Sequence, residues 1–480
     1  MSLGRRALLG GLPLLVAGPA AAQERGVPPA PRPDALPPAR SRAHTLVLGG
    51  RTLRFTSTAG SVTLSDGQGV AQAAVGYVAY TLDDGPAERP VTFAVNGGPG
   101  ASSAWLHLGA IGPWRMEMQG VGPSAPVRLI DNTEAWLDFT DLVFIDPVGT
   151  GYSRFLASGE DVRKRLWSVA GDIDAIAGAI RRWLVQAGRM GSTKFLVGES
   201  YGGFRGPRLA RTLAQSHGVG LSGLVLVSPV LDFGGRSTAM DPLYWASALP
   251  TLAAASRRAG ARVAEAEAYA GGEFVAELLR GADPDAVARR SARVAALTGL
   301  DPALVRRHGG MIDGSIYMRN APAGRLASLY DLDVSLVDPD PAAAFSRQPD
   351  AVLDVLRAPL TAAMLELYAA RLGWLVEAPY ELLSEAVNRG WDWGGGRTGA
   401  ESMSHLRSAL ALDPGLRVLV AHGLYDVVTP YFRSHLLLET IEASAGRERV
   451  ALHAWAGGHM FYSRTEGRAA LRAEAMGLYR

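Results

Sequence analysis

Six compact apolar runs constrain this chain more than any other feature: Val91–Val95, Leu142–Ile145, Phe195–Val197, Leu224–Val227, Leu416–Val420 and Val450–Trp455. A strand that is apolar at every position, rather than at alternate ones, suits a parallel sheet covered on both faces. Between several of the runs the pattern turns helical. Trp167–Gln186 places Val169, Ile173, Ile176, Ile180 and Leu184 on one stripe, and Phe204–Ser216 and Ala469–Tyr479 read as further helices. The alternation predicts a doubly wound α/β fold with a mostly parallel central sheet.

Ahead of these runs, Thr45–Leu48, Leu53–Phe55 and Ala74–Leu82 are β-type stretches parted by the turn residues Gly49-Gly50 and Asp83-Asp84-Gly85. They read as an antiparallel lead-in. The rhythm breaks between 234 and 414. Ala/Arg-rich helical stretches (Leu252–Ala270, Phe274–Leu297), a Pro/Asp break at Asp338–Pro341 and the cluster Gly390-Trp391-Asp392-Trp393-Gly394 occupy this span. A mainly helical cap is expected there, inserted between core parts at 44–233 and 415–480; a second independent domain is the alternative.

The chain opens with Arg5-Arg6, the short apolar run Ala7–Ala17 and then Ala20-Ala21-Ala22 before Gln23. A charged start, an apolar stretch and a small-residue cleavage site make an export signal, expected at 1–22, with a Pro-rich linker at 23–43. The run is too short to span a bilayer, and no later segment reads as a membrane span. An exported protein, periplasmic or secreted, is expected. The 480 residues contain no cysteine, which excludes disulfides, thiolate metal sites and a cysteine nucleophile. A net charge of +2 argues against nucleic acid as the main partner. His and acidic residues show no metal-ligand spacing, so no metal or other cofactor is expected.

The chemistry concentrates in Gly198-Glu199-Ser200-Tyr201-Gly202, followed by Gly203. Set between an apolar strand and a helix, Gly-x-Ser-x-Gly is the nucleophile elbow of the α/β-hydrolase fold, with Ser200 as nucleophile. A serine hydroxyl needs a base to take its proton, and in this fold the partners follow in the order Ser, acid, His. His459, in Gly457-Gly458-His459-Met460 after the last strand run, is the candidate base. His44 and His107 precede the serine, His308 and His405 fall in the insertion, His422 adjoins the acid and His453 lies within a strand. Asp426, in Gly423-Leu424-Tyr425-Asp426, follows the run Leu416–Val420 and is the candidate acid that orients the imidazole. A second glycine-rich stretch, Asn96-Gly97-Gly98-Pro99-Gly100, follows the strand Val91–Val95. Such a loop supplies one oxyanion donor and the residue after the nucleophile the other, which points to the N–H groups of Gly98 and Tyr201. Trp105, Trp391 and Trp393 read as core or cap packing, with a place in a pocket wall as the alternative.

Together these blocks resemble the serine carboxypeptidases. The resemblance is carried by Asn96-Gly97-Gly98-Pro99-Gly100 with Ser102-Ser103, Phe144-Ile145-Asp146-Pro147-Val148-Gly149-Thr150-Gly151-Tyr152-Ser153, the elbow, and the Asp426 and His459 blocks, in family order. It implies removal of a C-terminal residue from a peptide through an acyl-enzyme on Ser200. It further implies that Asn96, Gly97 and Glu199 bind the terminal carboxylate, Glu199 as a protonated donor, so that acidic pH favours binding. Three positions depart from the family pattern. Ala94 stands where Trp is usual, Ala101 where Cys is frequent, and Ala110 where a second Glu commonly completes the carboxylate network. The absent Cys points to a bacterial-type member. Two other readings stay open: a capped esterase, amidase or acyltransferase using the same three residues, and a non-catalytic exported binding protein.

Overall fold

The computed structural model describes residues 36–234, 241–256, 262–342 and 349–479. The expected export signal lies outside them. Strands β1 (Arg40–Leu48), β2 (Arg51–Ser65), β3 (Ala71–Leu82), β4 (Val91–Val95), β5 (Asp141–Ile145), β6 (Lys194–Glu199), β7 (Gly223–Val227), β8 (Arg417–Gly423) and β9 (Val450–Trp455) form one sheet. Their order is β1-β2-β3-β5-β4-β6-β7-β8-β9, with a two-residue strand, Arg154–Phe155, also pairing with β3. The first three strands are antiparallel, β3 meets β5 antiparallel, and every later pair is parallel. The exchanged order of β4 and β5, the parallel run and the elbow after β6 make this the α/β-hydrolase fold. The lead-in starts earlier than expected. Residues 40–43, read as linker, pair with Thr56–Ala59 of β2. Pro and Arg composition alone conceals such a strand, because its partner lies elsewhere in the chain.

The all-apolar strands are explained by cover on both faces. Phe93, Val95, Leu196, Leu224, Leu226, Val418 and Val420 point to one side, where they meet α1 (Val169–Gln186) and α2 (Tyr201–Ser216). Ala94, Val197, Val225, Val227, Leu419 and Ala421 point to the other, toward Trp114, Trp136 and α3 (Thr465–Leu478). Each fully buried Leu, Val or Phe contributes about 1.5–3 kcal/mol by leaving water. The start of α1 is set by Ser168, whose Oγ accepts from Gly171 N at 3.1 Å and satisfies one of the orphan donors of the first turn.

The inserted span serves two purposes. Helices Pro242–Ala255, Val263–Ala270, Glu273–Leu279 and Pro284–Thr298 gather Trp245, Leu249, Phe274 and Leu297 into a separate apolar core. By contrast, Leu356, Leu360 and Leu367 pack on the sheet face that holds Leu46 and Phe55, and Leu406 and Leu410 pack on the opposite face. Helical periodicity exposes an apolar stripe but not the surface it will cover.

One buried ion pair ties the two helices behind the site to the glycine loop. Arg205 on α2 is fully buried; its Nε donates to Asp172 Oδ2 at 2.7 Å and its Nη2 to Oδ1 at 3.1 Å. Its Nη1 donates to the carbonyl oxygen of Asn96. Removing the acid leaves a guanidinium without its counter-ion in the interior. Asp172→Asn is therefore expected to lower unfolding free energy by about 3 kcal/mol, read as a lower urea midpoint at unchanged m.

Candidate active site

Because β4, β6, β7 and β8 run parallel, their C-terminal ends share one edge of the sheet, where open α/β sheets place their ligand sites. Register places Val95 beside Gly198 and Val227 beside both Glu199 and Ala421. The loops carrying Asn96, Ser200 and Asp426 therefore leave the sheet side by side.

Ser200 sits in the elbow at φ 60°, ψ −119°, a conformation that costs a non-glycine residue strain energy. The turn is held from both sides. A Cβ on Gly198 would lie 2.2 Å from the carbonyl oxygen of Gly202, and one on Gly202 would lie 2.4 Å from that of Val95. Tyr201 opens α2, so its N–H has no acceptor within the helix and is free for a ligand. The glycine loop closes against this point: a Cβ on Gly97 would lie 2.4 Å from Tyr201 N. Only a residue without a side chain lets the loop bring its own N–H groups beside that of Tyr201.

His459 and Asp426 meet behind this edge. His459 Nδ1 lies 2.7 Å from Asp426 Oδ2, and both residues are buried. Asp426 Oδ1 accepts from the N–H groups of Val428 and Thr429 at 2.9 and 3.1 Å, and Thr429 Oγ1 donates to Oδ2. Burial by itself lowers the His459 pKa, but the carboxylate of Asp426, its hydrogen bond and the nearby Glu199 outweigh it and leave the imidazole above its ordinary value. With Nδ1 engaged, Nε2 is the ring nitrogen available for proton transfer.

Glu199 is buried beside Ser200. Its Oε2 accepts from Asn96 Nδ2 at 2.8 Å and from the Tyr462 hydroxyl at 2.7 Å. Burial pushes its carboxyl up to about 7, against the opposing pull of His459 and of these two hydrogen bonds.

A cavity of about 840 Å³ gathers seven of the eight expected residues: Asn96, Gly97, Gly98, Glu199, Ser200, Tyr201 and His459 all line it. Asp426, fully buried, stands behind His459. Trp105 is buried and lines the cavity as well. Trp391 and Trp393 instead pack edge-on to the Tyr201 ring, at centroid distances of 5.5 and 5.7 Å.

Five contributors were missed from sequence. Thr429 braces Asp426, and its place three residues after an Asp in a turn was a legible signal. Ser228, itself at φ 42°, donates from Oγ to the carbonyl oxygen of His459 at 2.8 Å. From the insertion, the carbonyl oxygen of Tyr330 accepts from His459 N at 2.5 Å, and Asp331 Oδ2 accepts from Gly458 N at 3.0 Å. Tyr462 reaches Glu199 across 263 positions of chain. Ser228, Tyr330, Asp331 and Tyr462 have no local signature, because their roles arise from approach in space.

Residues 50–256 match the family model of the serine carboxypeptidases. That span contains the glycine loop and the elbow, whereas Asp426 and His459 lie beyond it. Serine carboxypeptidase-like 45 of Arabidopsis thaliana is 28% identical over 206 residues, 41% of each chain. Serine carboxypeptidase-like 13 of the same plant is 29% identical over 159 residues, 32% of this chain and 36% of its own. The chain thus spans about two fifths of the length of the curated relatives it matches. Among solved structures, Kex1(delta)p, a prohormone-processing carboxypeptidase from Saccharomyces cerevisiae, superposes with a TM-score of 0.56 at 15% identity, covering 87% of this chain and 90% of its own. That likeness is one of fold.

The contact between Gly97 and Tyr201 is directly testable. Gly97→Ala is expected to force the loop away from α2, costing about 2 kcal/mol of stability. Reaction with a fluorophosphonate probe should fall at least tenfold while circular dichroism stays native.

Proposed function

We propose that this protein is an exported serine-type carboxypeptidase of the bacterial type, which removes C-terminal residues from peptides. The observation that carries the reading is a buried carboxyl group, Glu199, hydrogen-bonded to Asn96 and lining the same cavity as Ser200 and His459. A cavity built to reject anions would not hold a carboxyl that keeps its proton to about pH 7 next to free amide donors. In its protonated form Glu199 donates to a substrate carboxylate, and the second hydrogen of the Asn96 amide and the N–H of Gly97 complete the cradle.

With the terminal carboxylate held there, the scissile carbonyl falls at Ser200. The hydroxyl attacks the carbonyl carbon as its proton passes to His459 Nε2, and Asp426 stabilises the resulting imidazolium. The N–H groups of Gly98 and Tyr201 receive the developing oxyanion at the start of α2, where the helix end favours negative charge. His459 then protonates the departing amine, and water attacks the acyl-enzyme by the same route.

Ser200→Ala is expected to keep its melting temperature and lose about 10,000-fold or more in kcat. Full turnover in that variant would refute the mechanism. Substrate class is decided by a blocked dipeptide with a free C-terminus against its C-terminal amide. The acid should be hydrolysed at least tenfold faster; equal rates would indicate an amidase or esterase instead.

The pH dependence follows from two opposed requirements. Glu199, with its pKa raised to about 7, donates only while protonated, so KM for the free acid rises as pH climbs through that value. His459, with its pKa raised, acts as a base only when neutral, so kcat falls as pH drops through its own pKa. A bell-shaped kcat/KM is expected for the free acid. Glu199→Gln, whose amide donates at every pH, should lose the alkaline rise in KM.

A further inference from the structure

Tyr462 has no counterpart in the expected site, yet it makes one of the two hydrogen bonds to the carboxyl of Glu199. It follows His459 by three residues, in the short helical turn Phe461–Ser463, and is fully buried. Its ring occupies space left open by Gly109, where an added Cβ would lie 2.8 Å from the ring edge. Gly109 belongs to the buried turn Leu106–Ile111, next to Ala110. This turn contributes no carboxyl to the site, and the hydroxyl that meets Glu199 comes from Tyr462.

The hydrogen bonds around Glu199 dictate which oxygen can carry a proton. Leu106 N donates to Asn96 Oδ1 at 3.0 Å, so the amide group is oriented with Nδ2 toward Glu199. An NH2 group only donates, so Glu199 Oε2 must accept from it. Tyr462 ends on the same oxygen. A proton on Oε2 would crowd against Asn96 Nδ2; on Oε1 it meets no such donor. Both described hydrogen bonds to the carboxyl end on Oε2, and Glu199 lines the cavity, so Oε1 is the oxygen left to a bound molecule.

We infer that Tyr462 is a positioning residue that keeps the Glu199 proton on Oε1, facing the substrate, and sets the pH at which that proton, and with it recognition of a C-terminal carboxylate, is lost. The inference rests on the carboxypeptidase reading above for its functional consequence, but the Tyr462–Glu199 linkage can be measured without a substrate. Its physical basis is the preference of a phenol O–H for an ionised acceptor, which stabilises the carboxylate form of Glu199. The other groups acting on this carboxyl are Asn96, which donates likewise, His459, whose positive form favours ionisation, and Asp426, whose charge opposes it. Burial holds the Tyr462 phenol well above its ordinary pKa. It therefore remains a neutral donor wherever Glu199 titrates.

The test compares the wild-type chain, Tyr462→Phe and Glu199→Gln. The infrared C=O stretch of a protonated carboxyl that is present in wild type and missing in Glu199→Gln reports Glu199. In Tyr462→Phe, which keeps the ring against Gly109, this band should persist to about one pH unit higher. The alkaline rise in KM for a blocked dipeptide should move with it, while the acid limb of kcat stays in place. Replacing Tyr462 alone by 3-fluorotyrosine, a stronger donor of nearly equal size, should shift both in the opposite direction and covers the case that the Phe variant does not fold. Unshifted breaks, or a KM raised by the same factor at every pH, would overturn the inference. If wild type cleaves no blocked dipeptide, the proposed function fails, and the infrared shift still decides the role of Tyr462.

Discussion

The site depends on one close approach: the backbone of Gly97 against the first N–H of the helix that follows Ser200. Neighbouring parallel strands make it possible, since β4 and β6 end at the same edge with Val95 beside Gly198. Absent side chains permit it, and Arg205 secures it by joining Asp172 on α1 to the carbonyl oxygen of Asn96. The strain of Ser200 at positive φ is borne by this packing. An elbow without such support would relax, and Ser200 would leave the positive φ that it holds.

Burial then sets the chemistry. His459, Asp426 and Glu199 are all nearly inaccessible to water. Asp426 receives four hydrogen bonds, from two backbone N–H groups, a hydroxyl and the imidazole. Glu199 receives two and keeps its proton to about pH 7. Two buried carboxyls near one serine thus stand in different surroundings, Asp426 among four donors and Glu199 between two.

The segment 457–462 touches both of these carboxyls. His459 and Tyr462 lie within one turn of chain and hydrogen-bond to Asp426 and Glu199 respectively. The insertion holds the same segment from outside, through the carbonyl oxygen of Tyr330 and the carboxylate of Asp331. Any movement of that part of the insertion therefore bears on the His459 loop directly.

The amino-acid sequence alone determined what local chemistry can dictate. All-apolar runs such as Val91–Val95 and Leu224–Val227 require a sheet covered on both faces. The spacing of Gly198, Ser200 and Gly202 requires a tight strand-to-helix turn, and the order Ser200, Asp426, His459 follows from the fold. Only the tertiary structure decided that Leu356 and Leu406 of the insertion cover the sheet while Trp245 and Phe274 form a core of their own, because an apolar stripe does not name its partner. It alone decided that a tyrosine near the C-terminus completes the surroundings of Glu199. That contact joins positions 263 apart, and hydrogen bonds of this reach are set by how strands and loops converge, which no local pattern records.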